Sequence, residues 1–240
     1  MEKLYVVIPA YNEEATIARC IQDWYPIVER HSGGGNSRLV IVNDGSRDKT
    51  LSAARELART RPLLTILDKE NGGHGSAVLF GYRYALDQGA DYIFQTDSDG
   101  QTNPEEFESF WEKRNQYSAV LGNRVVRGDG KDRKFVENTV CLLLRIIFGV
   151  KVPDANAPFR LMRSSVLERY IGLMPEDFYI PNIVFTACFV RYGEGVLFLP
   201  ITFQPRQGGT NSINPGKIIR IGFRAVGDFY RLKRKMPPVR

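Results

Sequence analysis

Cysteine and histidine are scarce in this chain, and each scarcity removes a class of chemistry. Its three cysteines, Cys20, Cys141 and Cys188, are odd in number, far apart and never spaced as C-x-x-C. They support neither a disulfide framework nor a structural zinc, and they suit a reducing compartment. With only His31 and His74 available, imidazole-rich metal sites are excluded as well. Long hydrophobic runs are missing too. The most apolar stretch, residues 140–150, falls far short of the roughly 20 residues a spanning helix needs, and it contains Arg145. The N-terminal MEKLYVVIPAYNEE ends its short apolar run at Pro9, which is too brief for a signal peptide. The expected location is therefore cytoplasmic, with peripheral contact to a membrane at most.

What is present reads as a globular protein. The 240 residues are 43% hydrophobic and 25% charged, which rules out a disordered or collagen-like chain. With 33 Lys+Arg against 27 Asp+Glu, the net charge is +6. Continuous apolar, β-branched runs at 4–8, 39–42, 64–67, 92–94, 119–121 and 196–203 suit strands buried on both faces. Helical patterns lie between them at 14–30, 49–60, 76–88 and 104–117, the last opened by Pro104 with Glu105 and Glu106 in its first turn. This alternation predicts right-handed βαβ units and an α/β fold with a mostly parallel central sheet.

The second half is less regular. Residues 124–134 read as a polar, glycine-bearing loop, followed by a helix at 135–148, a loop at 153–160 and a helix around 181–192. Residues 217–235 predict a terminal amphipathic helix. Its apolar arc holds Ile218, Phe223, Ala225, Phe229 and Leu232, and Lys217, Arg220, Arg224, Arg231, Arg234 and Lys235 fall mostly opposite. The expected organisation is one α/β domain over 1–215, then a basic helix and tail over 216–240.

In an open α/β sheet the ligand crevice lies beyond the carboxyl ends of the strands. Four strand ends here carry polar clusters: Pro9-Ala10-Tyr11-Asn12-Glu13, Asn43-Asp44-Gly45-Ser46, Asn71-Gly72-Gly73-His74-Gly75 and Asp97-Ser98-Asp99-Gly100-Gln101. Singly, each has a plain explanation as a helix cap, a turn or a solvated loop. Four at one edge of one sheet point to a site. Asp97 and Asp99 can supply hard oxygen ligands to Mg2+ or Mn2+ while the ion also takes phosphate oxygens, and Gln101 could add a neutral oxygen. A solvated turn capping the next helix is the alternative. The glycine stretch lacks the lysine of a Walker A loop and has Val78 where a dinucleotide fingerprint needs its third glycine.

At these residues the sequence resembles the inverting family-2 glycosyltransferases of the GT-A fold, and within them the dolichol- or polyprenyl-phosphate mannose and glucose synthase type. The resemblance runs from VVIPAYNEE through VNDGSRD, the glycine loop and TDSDGQ to LGNR, DANAPFR and LPITFQPRQGG. It implies that Pro9, Tyr11, Glu13 and Asp44 line the nucleoside pocket of a UDP- or GDP-sugar donor, with Val42 and Ser98 among the donor-binding residues. It also implies that Asp97, Asp99 and Gln101 hold a divalent metal and the donor diphosphate. Arg124 and Arg206 match arginines that face phosphate groups in that type, which makes Asp99, Arg124 and Arg206 the catalytic candidates. An active-site loop over 124–134 and an interfacial helix over 135–148 are further implications. Where such proteins often continue R-x-x-G-E-S-K, this chain has Thr210-Asn211-Ser212, so Ser212 stands at the position of a phosphate-contacting lysine.

Inverting transfer needs charge neutralised on the leaving diphosphate and, for a hydroxyl acceptor, a general base. A phosphate acceptor is already anionic and needs cations to hold it. The favoured expectation is accordingly a polyprenyl phosphate acceptor, with the basic tail on an anionic bilayer. The other reading packs the tail's apolar arc on the protein's own core. The acceptor is then a soluble or cell-envelope glycan, with Asp177 or Asp154 as candidate base. A non-catalytic nucleotide- or nucleic-acid-binding domain is the alternative from another class. Nucleic acid is not the expected partner, because a dense basic stripe interleaved with stacking aromatics is not evident.

Overall fold

The structure, a computed structural model, describes residues 2–127, 131–205 and 215–238. Seven strands form one sheet: β1 (Leu4–Ala10), β2 (Arg38–Asp44), β3 (Leu64–Lys69), β4 (Tyr92–Gln95), β5 (Ala119–Arg127), β6 (Arg160–Arg163) and β7 (Val196–Phe203). The helices are α1 (Ile17–Arg30), α2 (Thr50–Ala58), α3 (His74–Asp87), α4 (Phe107–Trp111), α5 (Lys131–Phe148), α6 (Ser164–Ile171), α7 (Pro181–Arg191) and α8 (Pro215–Lys235).

Every residue of β1 is buried, as a central strand covered on both faces requires. Its side chains alternate between two cores. Leu4, Val6 and Ile8 pack with Ile21, Trp24 and Val28 of α1 and with Phe107 of α4. Tyr5 and Val7 face the other way, toward Val78 and Tyr82 of α3 and Phe185 and Phe189 of α7. The period of two along the strand thus builds both layers at once.

The strand order is β3-β2-β1-β4-β6-β5-β7. β1 to β4 are mutually parallel where they pair, and β5 is parallel to β7. β6 alone runs antiparallel, with Arg160 opposite Gln95 of β4 on one side and Leu121 of β5 on the other. Two successive reversals leave β5 pointing the same way as β4. Six strands therefore end at one edge of the sheet, and β6 begins there.

Several expectations are corrected. β6 and α6 were not anticipated. The segment read as a loop over 124–134 is strand to Arg127 and helix from Lys131, because β5 stays paired with β7 as far as Arg127 opposite Phe203, past an irregularity between Arg124 and Val126. The helix expected over 104–117 is a short 3-10 turn, Pro104–Glu106, followed by α4. Asn103 caps that turn by accepting the Glu105 amide at 3.1 Å.

Ala225, Phe229 and Leu232 of α8, with Met236 just beyond its end, join the α3/α5/α7 core, and the Phe229 ring meets Phe148 edge-on at 5.6 Å. This part of the apolar arc is turned inward, while Tyr230 is exposed. Among the described residues, no helix is long and apolar enough to cross a membrane.

Candidate active site

The common edge gathers the polar loops. At its left the β1–α1 and β2–α2 connections are stitched together. Asn12, in a left-handed conformation at φ 54°, donates its amide to Ser46 Oγ and accepts the Arg47 amide on Oδ1. The Glu13 amide donates to Thr50 Oγ1 at 2.8 Å, and its carboxylate accepts the Thr16 hydroxyl at 2.8 Å. Glu13 is buried, Tyr11 is exposed, and Pro9 pairs with Val42 across the two strands behind them.

Asp44 organises the glycine loop. Its Oδ1 accepts Lys69 Nζ at 2.7 Å and the Gly72 amide at 2.9 Å, and its Oδ2 accepts the Gly73 amide at 2.8 Å. Asn71 closes the loop from the other side by donating to the Asp44 carbonyl. Gly75, in the first turn of α3, lies so close to the chain at Phe178 and Tyr179 that a Cβ would overlap their backbone. Only glycine lets the start of α3 sit there.

Asp97 and Asp99 project from the turn after β4, the strand at the middle of the sheet order. Asp97 Oδ1 accepts Gln95 Nε2 at 3.0 Å and lies 3.9 Å from His74 Nε2. Asp99 Oδ1 accepts the Gln101 amide at 3.2 Å. Ser98 and Gln101 are buried. Gln101 ties this turn to the end of β7: its Nε2 donates to the Gln204 carbonyl and its own carbonyl accepts the Gln204 amide, both at 2.8 Å. Among the described residues, no three His, Cys, Asp or Glu side chains converge as a metal cage. The turn offers two carboxylates, the number that suits an Mg2+ or Mn2+ ion shared with phosphates of a ligand.

Arg124 is held differently. Nε and Nη2 bind the two oxygens of Asp154 at 2.7 and 2.9 Å, and Nη2 also reaches Glu137 Oε2 at 3.0 Å. The three side chains are 8%, 2% and 10% exposed. Burial pushes Asp154 upward, but the hydrogen bonds and charge of Arg124 outweigh it, so its carboxyl sits below the usual range. Glu137 goes the other way, raised by burial and then by the Asp154 charge. One arginine between two buried carboxylates holds one as the anion and leaves the other retaining its proton more tightly.

The structure thus brings Pro9, Tyr11, Glu13, Val42, Asp44, Asp97, Ser98, Asp99, Gln101 and Arg124 to one edge, whereas Arg206 lies outside the described residues. Sequence reasoning missed Lys69, Glu137, Gln95 and Asn182. Glu137 carried a readable signal, since it falls on the same face of α5 as Cys141, Leu144 and Phe148, where a lone acid needs a partner. Asn182 and Thr186 carried another, as polar residues one turn apart in a helix that is otherwise apolar up to its terminal Arg191.

Known proteins resemble this chain in sequence and in fold. The family described as Glycosyl transferase family 2 matches residues 5–171. The chain is 27% identical over 226 residues to the undecaprenyl-phosphate mannosyltransferase of Micrococcus luteus, covering 89% of this chain and 88% of that one. It is 27% identical over 236 residues to the polyprenol monophosphomannose synthase of Mycolicibacterium smegmatis, covering 94% and 86%. The fold is similar to the crystal structure of glucosyl-3-phosphoglycerate synthase from Mycobacterium tuberculosis in complex with Mn2+ and UDP-glucose. That match has TM-score 0.70 and 18% identity, over 99% of this chain and 80% of that one.

Proposed function

The chain belongs to glycosyl transferase family 2, and from that premise we propose that it is a metal-dependent inverting glycosyltransferase carrying a sugar from a nucleotide-sugar to a polyprenyl phosphate. The observation that carries this reading is the carboxylate pair Asp97/Asp99 at the end of β4, flanked by loops that Asp44, Asn12 and Gln101 lock in place. Asp97 and Asp99 would hold the divalent ion, with the Gln101 amide oxygen as a neutral ligand. The ion supplies positive charge for the leaving diphosphate. Pro9, Tyr11, Glu13, Val42, Asp44 and Ser98 border the donor's nucleoside and diphosphate. The donor in this reading is a UDP- or GDP-sugar.

The acceptor phosphate oxygen attacks the anomeric carbon in line, the bond to the donor's β-phosphate oxygen breaks, and the configuration inverts. A phosphate nucleophile needs no base at neutral pH. Arg206 carries the phosphate-facing role in this reading. Arg124, neutralised by Asp154, anchors the rim from beneath. Both named relatives act on polyprenyl substrates by their printed names. Leu142 and Ile146 of α5 stand exposed with Arg145 between them, and α8 packs beside α5 with exposed Tyr230 and Arg231, a surface suited to an anionic bilayer. Peripheral residence on the cytoplasmic face follows, with residues 1–215 as the transferase domain and 216–240 as its basic appendage.

A second reading, with a soluble or envelope glycan as acceptor, is favoured by the inward packing of Ala225, Phe229 and Leu232. A hydroxyl acceptor needs a base; Asp177 is exposed, whereas Asp154 is buried against Arg124.

A thermal-shift panel of UDP, GDP and CDP with and without Mn2+, on the wild type and Asp99→Ala, tests the donor site. Metal-dependent stabilisation by one nucleotide, lost in the variant, is expected. No stabilisation by any of them would favour a non-catalytic binding domain. Transfer of labelled sugar to a short-chain polyprenyl phosphate, against none to free glycans, then decides the acceptor.

A further inference from the structure

Behind the first carboxylate of the β4 turn runs a chain of buried amides that the donor reading does not use. Gln95 is the last residue of β4 and is fully buried. Its Nε2 donates to Asp97 Oδ1 at 3.0 Å, and its Oε1 accepts Asn182 Nδ2 at 2.9 Å. Asn182 Oδ1 in turn accepts the Tyr82 hydroxyl at 3.2 Å. Asn182 is 3% exposed and Tyr82 is 0% exposed, so water is not available to replace either partner. The chain crosses three elements, from α3 to α7 to β4.

Its polarity is set at one end. An ionised carboxylate only accepts hydrogen bonds, so Gln95 must present its amino group to Asp97. Its oxygen then faces Asn182, which must present its own amino group, and the Asn182 oxygen is left for the Tyr82 hydroxyl. Each group has one orientation that satisfies its neighbours, and a flip of either amide would leave buried groups unpaired. From this we infer that Gln95 and Asn182 are positioning residues for Asp97: they hold one lone-pair direction of Oδ1 and so aim Oδ2 and the remaining lone pairs of the carboxylate outward. The inference rests on the reading that Asp97 binds a divalent ion. Partners that orient a ligating carboxylate typically change metal affinity about 10–100-fold when removed.

Asn182→Asp tests this with little change of volume. The new carboxylate accepts from Tyr82 but cannot donate to Gln95. Gln95 is expected to turn over, giving its amino group to residue 182 and its oxygen to Asp97, which repels it. Mn2+ binding is followed by the loss of the free-ion electron paramagnetic resonance signal, in parallel arms with UDP and with GDP, well below the melting temperature. Asp97→Asn brackets the result. The expectation is about a 10-fold or greater weakening for Asn182→Asp and a still larger loss for Asp97→Asn. Gln95→Met, which keeps the volume and removes both amide groups, should weaken binding similarly, and Tyr82→Phe should do so least. A role limited to core stability would lower the melting temperature in these variants without moving the Mn2+ dissociation constant. If Asp97→Asn weakens binding while folded Asn182→Asp and Gln95→Met bind as the wild type does, the positioning role falls and the donor-site reading stands. If Asp97→Asn changes nothing, or the wild type binds no Mn2+ in either arm, both fall.

Discussion

Two pairs of carboxylates stand at the same edge of this sheet, and their surroundings give them opposite work. Asp97 and Asp99 sit on the turn after β4, where Asp97 accepts Gln95 Nε2 and Asp99 accepts the Gln101 amide, and the Asp97 side chain is 24% exposed. Asp154 and Glu137 lie deeper, wrapped around Arg124, with the Ala155 amide on Glu137 at 2.6 Å and the Asn156 amide on Asp154 at 3.1 Å. The first pair is the proposed site of a divalent cation. The second already has a cation, in the form of a guanidinium. The comparison teaches that an acid pair folded around a buried arginine is already committed, however close to a strand end it lies.

Removing the built-in cation should have the largest effect of any single change. Arg124→Ala leaves two buried carboxylates facing each other and is expected to cost about 3–5 kcal/mol of the unfolding free energy measured in urea. Arg124→Lys should recover little of this, because an ammonium cannot make the two-pronged contact with Asp154. A stability equal to wild type in Arg124→Ala would erase the contrast between the pairs. At the other pair the outcome should invert. Asp99→Ala is expected to lower sugar-transfer kcat by about 100–1000-fold, roughly 3–4 kcal/mol at the barrier, while the unfolding midpoint stays near wild type. A variant that loses stability and activity in step would show that the turn is structural.

A third comparison sets α8 against both. Phe229→Ala opens a cavity beside Phe148 and should destabilise by about 3 kcal/mol. An effect below 1 kcal/mol, about what an exposed position gives, would detach the helix from the core and return its apolar arc to a lipid surface.

The smallest effect lies in the pH dependence of the buried pair. Glu137 has a raised folded pKa, so its contribution to stability is fully present below its ordinary value of 4.5 and is lost as pH rises through the folded value. Asp154, lowered from 3.8, contributes stability above that value and loses it as pH falls through the folded one. Glu137→Gln removes the first titration only. Its stability deficit against wild type should therefore shrink as pH rises above 4.5 in guanidinium titrations. A deficit that grows with pH would mean that Glu137, not Asp154, is the permanent anion.

Much of this was legible along the chain. The six apolar runs all became strands, and the polar residues following the first four all reached the common edge. What stayed hidden has a common cause. β6 is a four-residue strand bounded by Arg160 and Arg163, and its strand character comes from the two neighbours it bridges rather than from its own composition. β5 runs past the apolar 119–121 because β7 keeps pairing with it. Arg124 reads in sequence as a phosphate-facing arginine at the start of a polar loop; only the return of residues 154–155 and the inward face of α5 bring its two acids to it.

The sequence by itself determined the two layers of the first half, the common direction of β1 to β4 and which edge carries the chemistry, since alternating burial and βαβ handedness are local properties of the chain. Tertiary structure alone decided which charged groups are committed. Glu137 and Asp154 lie 17 residues apart in the chain, and Gln95 and Asn182 lie 87 apart. Hydrogen bonds over such separations depend on packing that no short window of residues can specify.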